Sequence, residues 1–182
     1  LIIPVVILVI LVILYFTFNN IREVLIVLSS IPVALVGGAY SLYFFDVNFS
    51  VAVAVGFIAL FGIAVETGVL MLVYLNNSLY FKLKNHVTGT ILNEDIENAV
   101  YDGAVQRVRP KLMTVLVDVI GLLPVLLATG AGSDVMKPIT IPFVFGLLTS
   151  TIFVLIVLPV IYAIVREREL IKKGNLDYRI LE

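Results

Sequence analysis

The sequence predicts an all-α membrane protein: five transmembrane helices, with a cytoplasmic amphipathic helix between the third and the fourth. Three observations carry this. Of the 182 residues 61% are hydrophobic, and the mean hydropathy is +1.14. The apolar residues fall in runs of about 20, the length at which an α-helix crosses a hydrocarbon core about 30 Å thick. The runs show no polar–apolar alternation, and only helices or closed barrels satisfy backbone groups in lipid. The chain has no cysteine, no tryptophan and one histidine, which excludes disulfides, thiolate metal centres and clustered-histidine zinc sites. The net charge of −1 points to no partner by itself. Membrane lipid is the expected surrounding, and neither nucleic acid nor a resident cofactor is expected.

The five apolar segments are residues 1–18, 24–45, 49–75, 111–129 and 138–165, the last long enough to tilt. Together they make one bundle, residues 1–165, with a polar linker at 76–110 and a charged tail at 166–182. The first segment opens on Leu1 inside an apolar run, without the charged flank or small-residue cleavage site of a signal peptide. The chain is therefore expected to be a fragment cut inside or just before a helix.

Lys and Arg set the orientation. Arg22 follows the first segment; Lys82, Lys84, Arg107 and Arg109 follow the third; Arg166, Arg168, Lys172, Lys173 and Arg179 follow the fifth. The opposite turns offer only Lys137, and Lys111 is left inside the fourth segment. This asymmetry places the C-terminal tail in the cytoplasm and Leu1 on the outer side.

Within the linker, Asn93 can cap a helix whose first turn carries Glu94, Asp95 and Glu97, against the positive end of the helix dipole. Ile96, Ala99, Val100, Ala104 and Val108 share a stripe, so this helix is expected to lie on the membrane surface, with Pro110 then in the first turn of the fourth span.

The third span, GFIALFGIAVETGVLMLVY, holds Glu66 at its middle. A carboxylate near a bilayer centre costs roughly 2.5–3.5 kcal/mol on insertion scales, so it is expected to face a protein interior or a watery path. Ala52, Gly56, Ala59, Gly62 and Glu66 follow 4, 3, 3, 4 spacing, and small residues let helices approach closely. Glu66 is therefore expected to point at a neighbouring helix, either as a proton or ion site or as a neutral carboxyl that fixes packing. In the fourth span Lys111, Thr114, Asp118 and Gly121 share one face. With Asn77 and Arg109 marking the cytoplasmic boundary, Glu66 lies about 16 Å deep, Asp118 about 13 Å and the Lys111 backbone about 3 Å. Lys111 alone could snorkel to the interface; Asp118 has no such escape and belongs to a polar path. Met71 and Met113 read as apolar filler, whereas Met136 sits in the outer turn GAGSDVMKP, and thioethers suit soft ions such as Cu(I).

Several stretches resemble the heavy-metal efflux branch of the resistance-nodulation-division (RND) transporters, particularly the copper/silver pumps of the Cus type. They are SSIPVALVGG (29–38), GFIALFGIAVETGVLMLVYL (56–75), DGAVQRVRPKLMTV (102–115), GLLPVLLATGAGSDVMKPI (121–139) and LPVIYAIV (158–165). The resemblance implies the last five of twelve transmembrane helices, in the bacterial inner membrane, and a transporter rather than an enzyme. It implies proton-driven efflux of Cu(I) or Ag(I) with Glu66 and Lys111 in the proton relay; the span's own pattern adds Thr114 and Asp118. Met136 matches a methionine on the metal path, with Asp134 where the family pattern has Glu. Asp118 departs from the Cus-type pattern and resembles divalent-metal relatives. The family further implies a homotrimer working with a periplasmic adaptor and an outer-membrane channel. Two alternatives stay open: efflux of organic compounds, and an accessory role in protein export on the same membrane architecture. An intramembrane enzyme fits least, since His86 stands alone and no serine has an evident base.

Overall fold

The computed structural model describes residues 2–85 and 93–173; His86 and the tail beyond Lys173 lie outside them. The order is α1 (Ile2–Phe18), α2 (Ile21–Leu28), α3 (Ser30–Phe44), α4 (Val51–Asn85), α5 (Asn93–Leu127), α6 (Ser133–Ile152), a π turn (Phe153–Val157) and α7 (Leu158–Lys173). Four helical runs among the described residues are long and apolar enough to cross a membrane: Ile21–Phe44, Val51–Lys82, Asn98–Leu127 and Ser133–Arg168. The fifth expected span, α1, is an apolar helix of 17 residues that begins at the second residue of the chain.

Prolines account for the interruptions. Pro32 has no N–H for the Leu28 carbonyl four residues back, and the helix breaks there into α2 and α3. Beside the break the hydroxyls of Ser29 and Ser30 donate to Ile26 O (2.6 Å) and Val27 O (2.7 Å). Pro159 likewise leaves Leu155 O without its donor, and the turn ahead of it widens until the Leu158 N–H donates to Phe153 O, five residues back. Pro110 does not start a helix as expected. It lies inside α5, which runs unbroken from the linker into the membrane.

The expected linker, 76–110, is itself largely helical. It is helical to Asn85 and again from Asn93. The expected apolar stripe is present, but Ile96, Ala99 and Val100 are buried in the larger core beside Leu75, Leu79 and Leu158 rather than laid on a membrane surface. Ser78 Oγ donates to Ala99 O (2.7 Å), tying the C-terminal part of α4 to the N-terminal part of α5.

α6 packs against α3, α4 and α5. Small residues make that possible, though not along the stripe that the spacing on the third span suggests. Gly56 does meet α6: a Cβ there would overlap Ile139 O. Ala59 and Gly62 are exposed, and nothing lies within 4 Å of a Cβ built on Gly62. The buried face of α4 instead runs through Val53, Leu60, Ala64, Met71, Leu72, Leu75 and Leu79. On α6 itself Gly146 marks a close approach, since a Cβ there would collide with Leu60 and lie 2.9 Å from Ala34 O. Gly146→Val is therefore expected to destabilise the bundle by about 1–3 kcal/mol, as overpacking does, while Gly62→Ala leaves it unchanged. Thermal unfolding of the detergent-solubilised protein checks both.

Candidate functional site in the membrane

Glu66 falls at the midpoint of the run Val51–Lys82. It opens into a cavity of about 390 Å³ whose walls come from α4 (Ile63, Glu66, Thr67, Leu70, Met71), from α5 (Arg107, Pro110, Lys111, Thr114, Asp118) and from the π turn (Val154, Leu155). The four relay candidates, Glu66, Lys111, Thr114 and Asp118, thus line one space. On α5 this follows from helix geometry, because 3 and 4 residue steps stay on one face. On α4, Glu66 is not packed into a neighbour as expected. Its side chain is exposed in this chain and borders the cavity facing α5.

The polar groups face one another without touching. Lys111 is half-buried and within electrostatic range of Glu66, Asp118 and Arg107, yet among the described residues no direct ion pair joins it to either carboxylate. Thr114 Oγ1 donates to Lys111 O (2.9 Å), and Thr67 Oγ1 donates to Ile63 O (2.7 Å). Both hydroxyls therefore turn acceptor lone pairs, not protons, toward the cavity. Arg107 sits over the Tyr74 ring, 4.1 Å from its centroid. A proton moving between Glu66 and Asp118 needs side-chain motion or water; the volume admits several waters at about 30 Å³ each.

Met136 is elsewhere. It lies exposed in the first turn of α6, and the 18 residues from there to Val154 amount to about 27 Å of helix. Among the described residues no group of three or more His, Cys, Asp or Glu could hold a metal ion.

The structure also builds a polar cluster that the sequence reading passes over. Glu23 in α2, Asn76 in α4, and Tyr162 and Arg166 in α7 meet inside the larger apolar core. Arg166 Nη2 pairs with Glu23 Oε1, both side chains being 6% exposed. Asn76 Nδ2 donates to Glu23 Oε2 (2.7 Å), and Asn76 Oδ1 accepts from Tyr162 Oη and from Arg166 Nη2 (3.2 Å). A signal was present: Val154, Leu158, Tyr162 and Arg166 recur every fourth residue, carrying the buried face into what reads as a charged tail.

Comparison with known proteins agrees with this architecture. The AcrB/AcrD/AcrF family matches residues 1–166. The chain is 43% identical over 162 residues to the cation efflux system protein CusA of Escherichia coli K12, covering 89% of this chain and 16% of that protein. It is 42% identical over 165 residues to a cation efflux system protein, SilA, of Salmonella typhimurium (91% and 16%). It is 38% identical over 168 residues to the cobalt-zinc-cadmium resistance protein CzcA of Cupriavidus metallidurans (92% and 15%). A crystal structure of a heavy metal efflux pump superposes with a TM-score of 0.70 at 34% identity, over 90% of this chain and 15% of that one. The chain thus spans about one sixth of the length of these relatives, all named for efflux or resistance and none for an enzymatic reaction. Since the family match takes in nearly all of the 182 residues, the chain belongs to the AcrB/AcrD/AcrF family.

Proposed function

We propose that this chain is part of the membrane domain of an RND pump that exports heavy-metal cations, Cu(I) or Ag(I), in exchange for protons. The observation that carries the reading is the mid-membrane cavity in which two carboxylates and a lysine from facing helices share one space. Glu66 takes up and releases the proton, Lys111 stabilises its ionised form, and Asp118 supplies a second acceptor. The choice of soft monovalent ions rests on the higher identity to CusA and SilA than to CzcA. Met136, at the outer end of α6, belongs to the metal's route, the C-terminus faces the cytoplasm of a bacterial inner membrane, and the whole pump works as a homotrimer with a periplasmic adaptor and an outer-membrane channel.

The test uses the full-length pump in liposomes with an imposed pH gradient. Addition of Ag(I) or Cu(I) is expected to release protons from the acidic side, while Zn(II), Co(II) and organic dyes release none. A response to Zn(II) and Co(II) alone moves the substrate to divalent metals, a dye response alone moves it to organic compounds, and no response to any of them rejects proton antiport. In the same assay Asp118→Asn is expected to slow transport about a hundredfold, the lower end of what one positioned proton-transfer group contributes. Thr114→Val is expected to change it less than twofold, since that hydroxyl's proton is already committed to Lys111 O.

A further inference from the structure

The buried cluster of Glu23, Asn76, Tyr162 and Arg166 stands apart from the cavity but shares two of its walls. Asn76 lies ten residues beyond Glu66 on α4, about 15 Å along the axis. Tyr162 and Arg166 lie on the helix that begins where the π turn, with Val154 and Leu155 in the cavity wall, ends. The π turn fixes their direction. In a regular α-helix, positions 154, 158, 162 and 166 drift by about 40° per step, about 120° in all, because four residues overshoot a turn of 3.6. The wide turn over Phe153–Val157 absorbs about one residue, or about 100°, of that drift. Val154, Leu158 and Tyr162 are accordingly all fully buried and Arg166 is 5% exposed.

A buried ion pair adds little net stability over apolar residues of similar size, and its best-attested use is to fix register. Here both oxygens of Glu23 are engaged, one by α7 and one by α4, so α2 holds the other two helices at a single offset. We propose that Glu23, Asn76, Tyr162 and Arg166 are positioning residues that set the register of α4 against the π turn, and through it the placement of Glu66 in its cavity. The inference rests on the proton-relay reading of Glu66. The charged groups facing Glu66 are Lys111, Asp118 and Arg107, all from α5; the π turn offers only Val154 and Leu155. A shift of α4 along α7 therefore moves Glu66 past Val154 and Leu155, and because α5 packs on α7 as well as on α4 it also changes the distance from Glu66 to the charges that α5 presents.

The test compares full-length Glu23→Leu/Arg166→Met and Asn76→Ala pumps with the parent in the liposome assay, using Ag(I) and varying pH. Both variants are expected to accumulate as assembled protein within about twofold of the parent, because the double change replaces the pair by apolar groups and the single change leaves it intact. Both are expected to transport about tenfold more slowly or worse, as small misplacements of reacting groups do, with the pH of half-maximal rate displaced by about one unit. Parent-like rate and pH midpoint in either accumulating variant overturns the proposal, and so does failure of both to accumulate, which makes the cluster a folding element only. Glu66→Gln is run alongside. Its loss of transport with an unchanged Asn76→Ala removes the positioning role alone, whereas unchanged transport in Glu66→Gln removes the proton-relay reading itself.

Discussion

Glu66→Gln in the full-length pump is expected to bring proton-coupled metal export to background while leaving the protein assembled in the membrane. Glutamine has the same shape and hydrogen-bonding reach but takes up no proton, so the change isolates titration from packing. Packing is not at stake, because Glu66 borders a cavity rather than filling a core position. One charge crossing the membrane potential supplies about 2.3 kcal/mol per 100 mV, equivalent to about a fiftyfold bias of an equilibrium. A variant that binds no proton at mid-membrane forfeits that bias on every cycle. Glu66→Asp keeps the titrating group on a stem shorter by one methylene and is expected to retain part of the rate. Export by Glu66→Gln at the parental rate would show that the proton passes by another route.

The grouping of Glu66 with Lys111, Thr114 and Asp118 was legible because both helices announce it: a charge in lipid has few tolerable directions, and 3 and 4 residue steps put the α5 trio on one face. Which face of α4 is packed was not legible. The small-residue stripe through Ala59 and Gly62 and the large-residue face through Leu60, Ala64 and Met71 both obey helical spacing. Only the shape of α6, with Gly146 receiving Leu60, selects between them. The break at Ser29 and the π turn before Pro159 were readable in principle, since each follows from a missing donor four residues after a carbonyl. The pairing of Glu23 with Arg166 was not, because 143 residues separate them and neither carries a local signal for the other. Arg166 joins the tail's basic residues by composition and leaves them by its four-residue spacing from Tyr162. The role proposed for Met136 rests on family likeness alone, since among the described residues no group of three or more His, Cys, Asp or Glu could hold a metal ion.

Arg166→Ala is expected to be the most damaging single change to stability among the charged residues of α7, lowering it by about 3–5 kcal/mol. The reason is not the worth of the ion pair but what its loss leaves behind. Glu23 is 5% exposed and would lose the guanidinium that pairs with it, so a carboxylate would keep the Asn76 amide but be far less well compensated in an apolar core. Against a folding stability of about 5–15 kcal/mol, that is a large share. Arg166→Lys is expected to fall between, because Arg166 uses Nε toward Tyr162 and Nη2 toward Glu23 and Asn76, a planar fork that an ammonium does not reproduce. Glu23→Gln added to Arg166→Ala is expected to restore most of the loss by removing the stranded charge. Melting temperatures of the purified variants decide: an unchanged value for Arg166→Ala, or no recovery on adding Glu23→Gln, contradicts the pairing. Stranding can be relieved by neutralising Glu23, but register cannot, and the two effects therefore separate. The rescued double variant is expected to be stable and still slow in transport, which a purely structural ion pair would not produce.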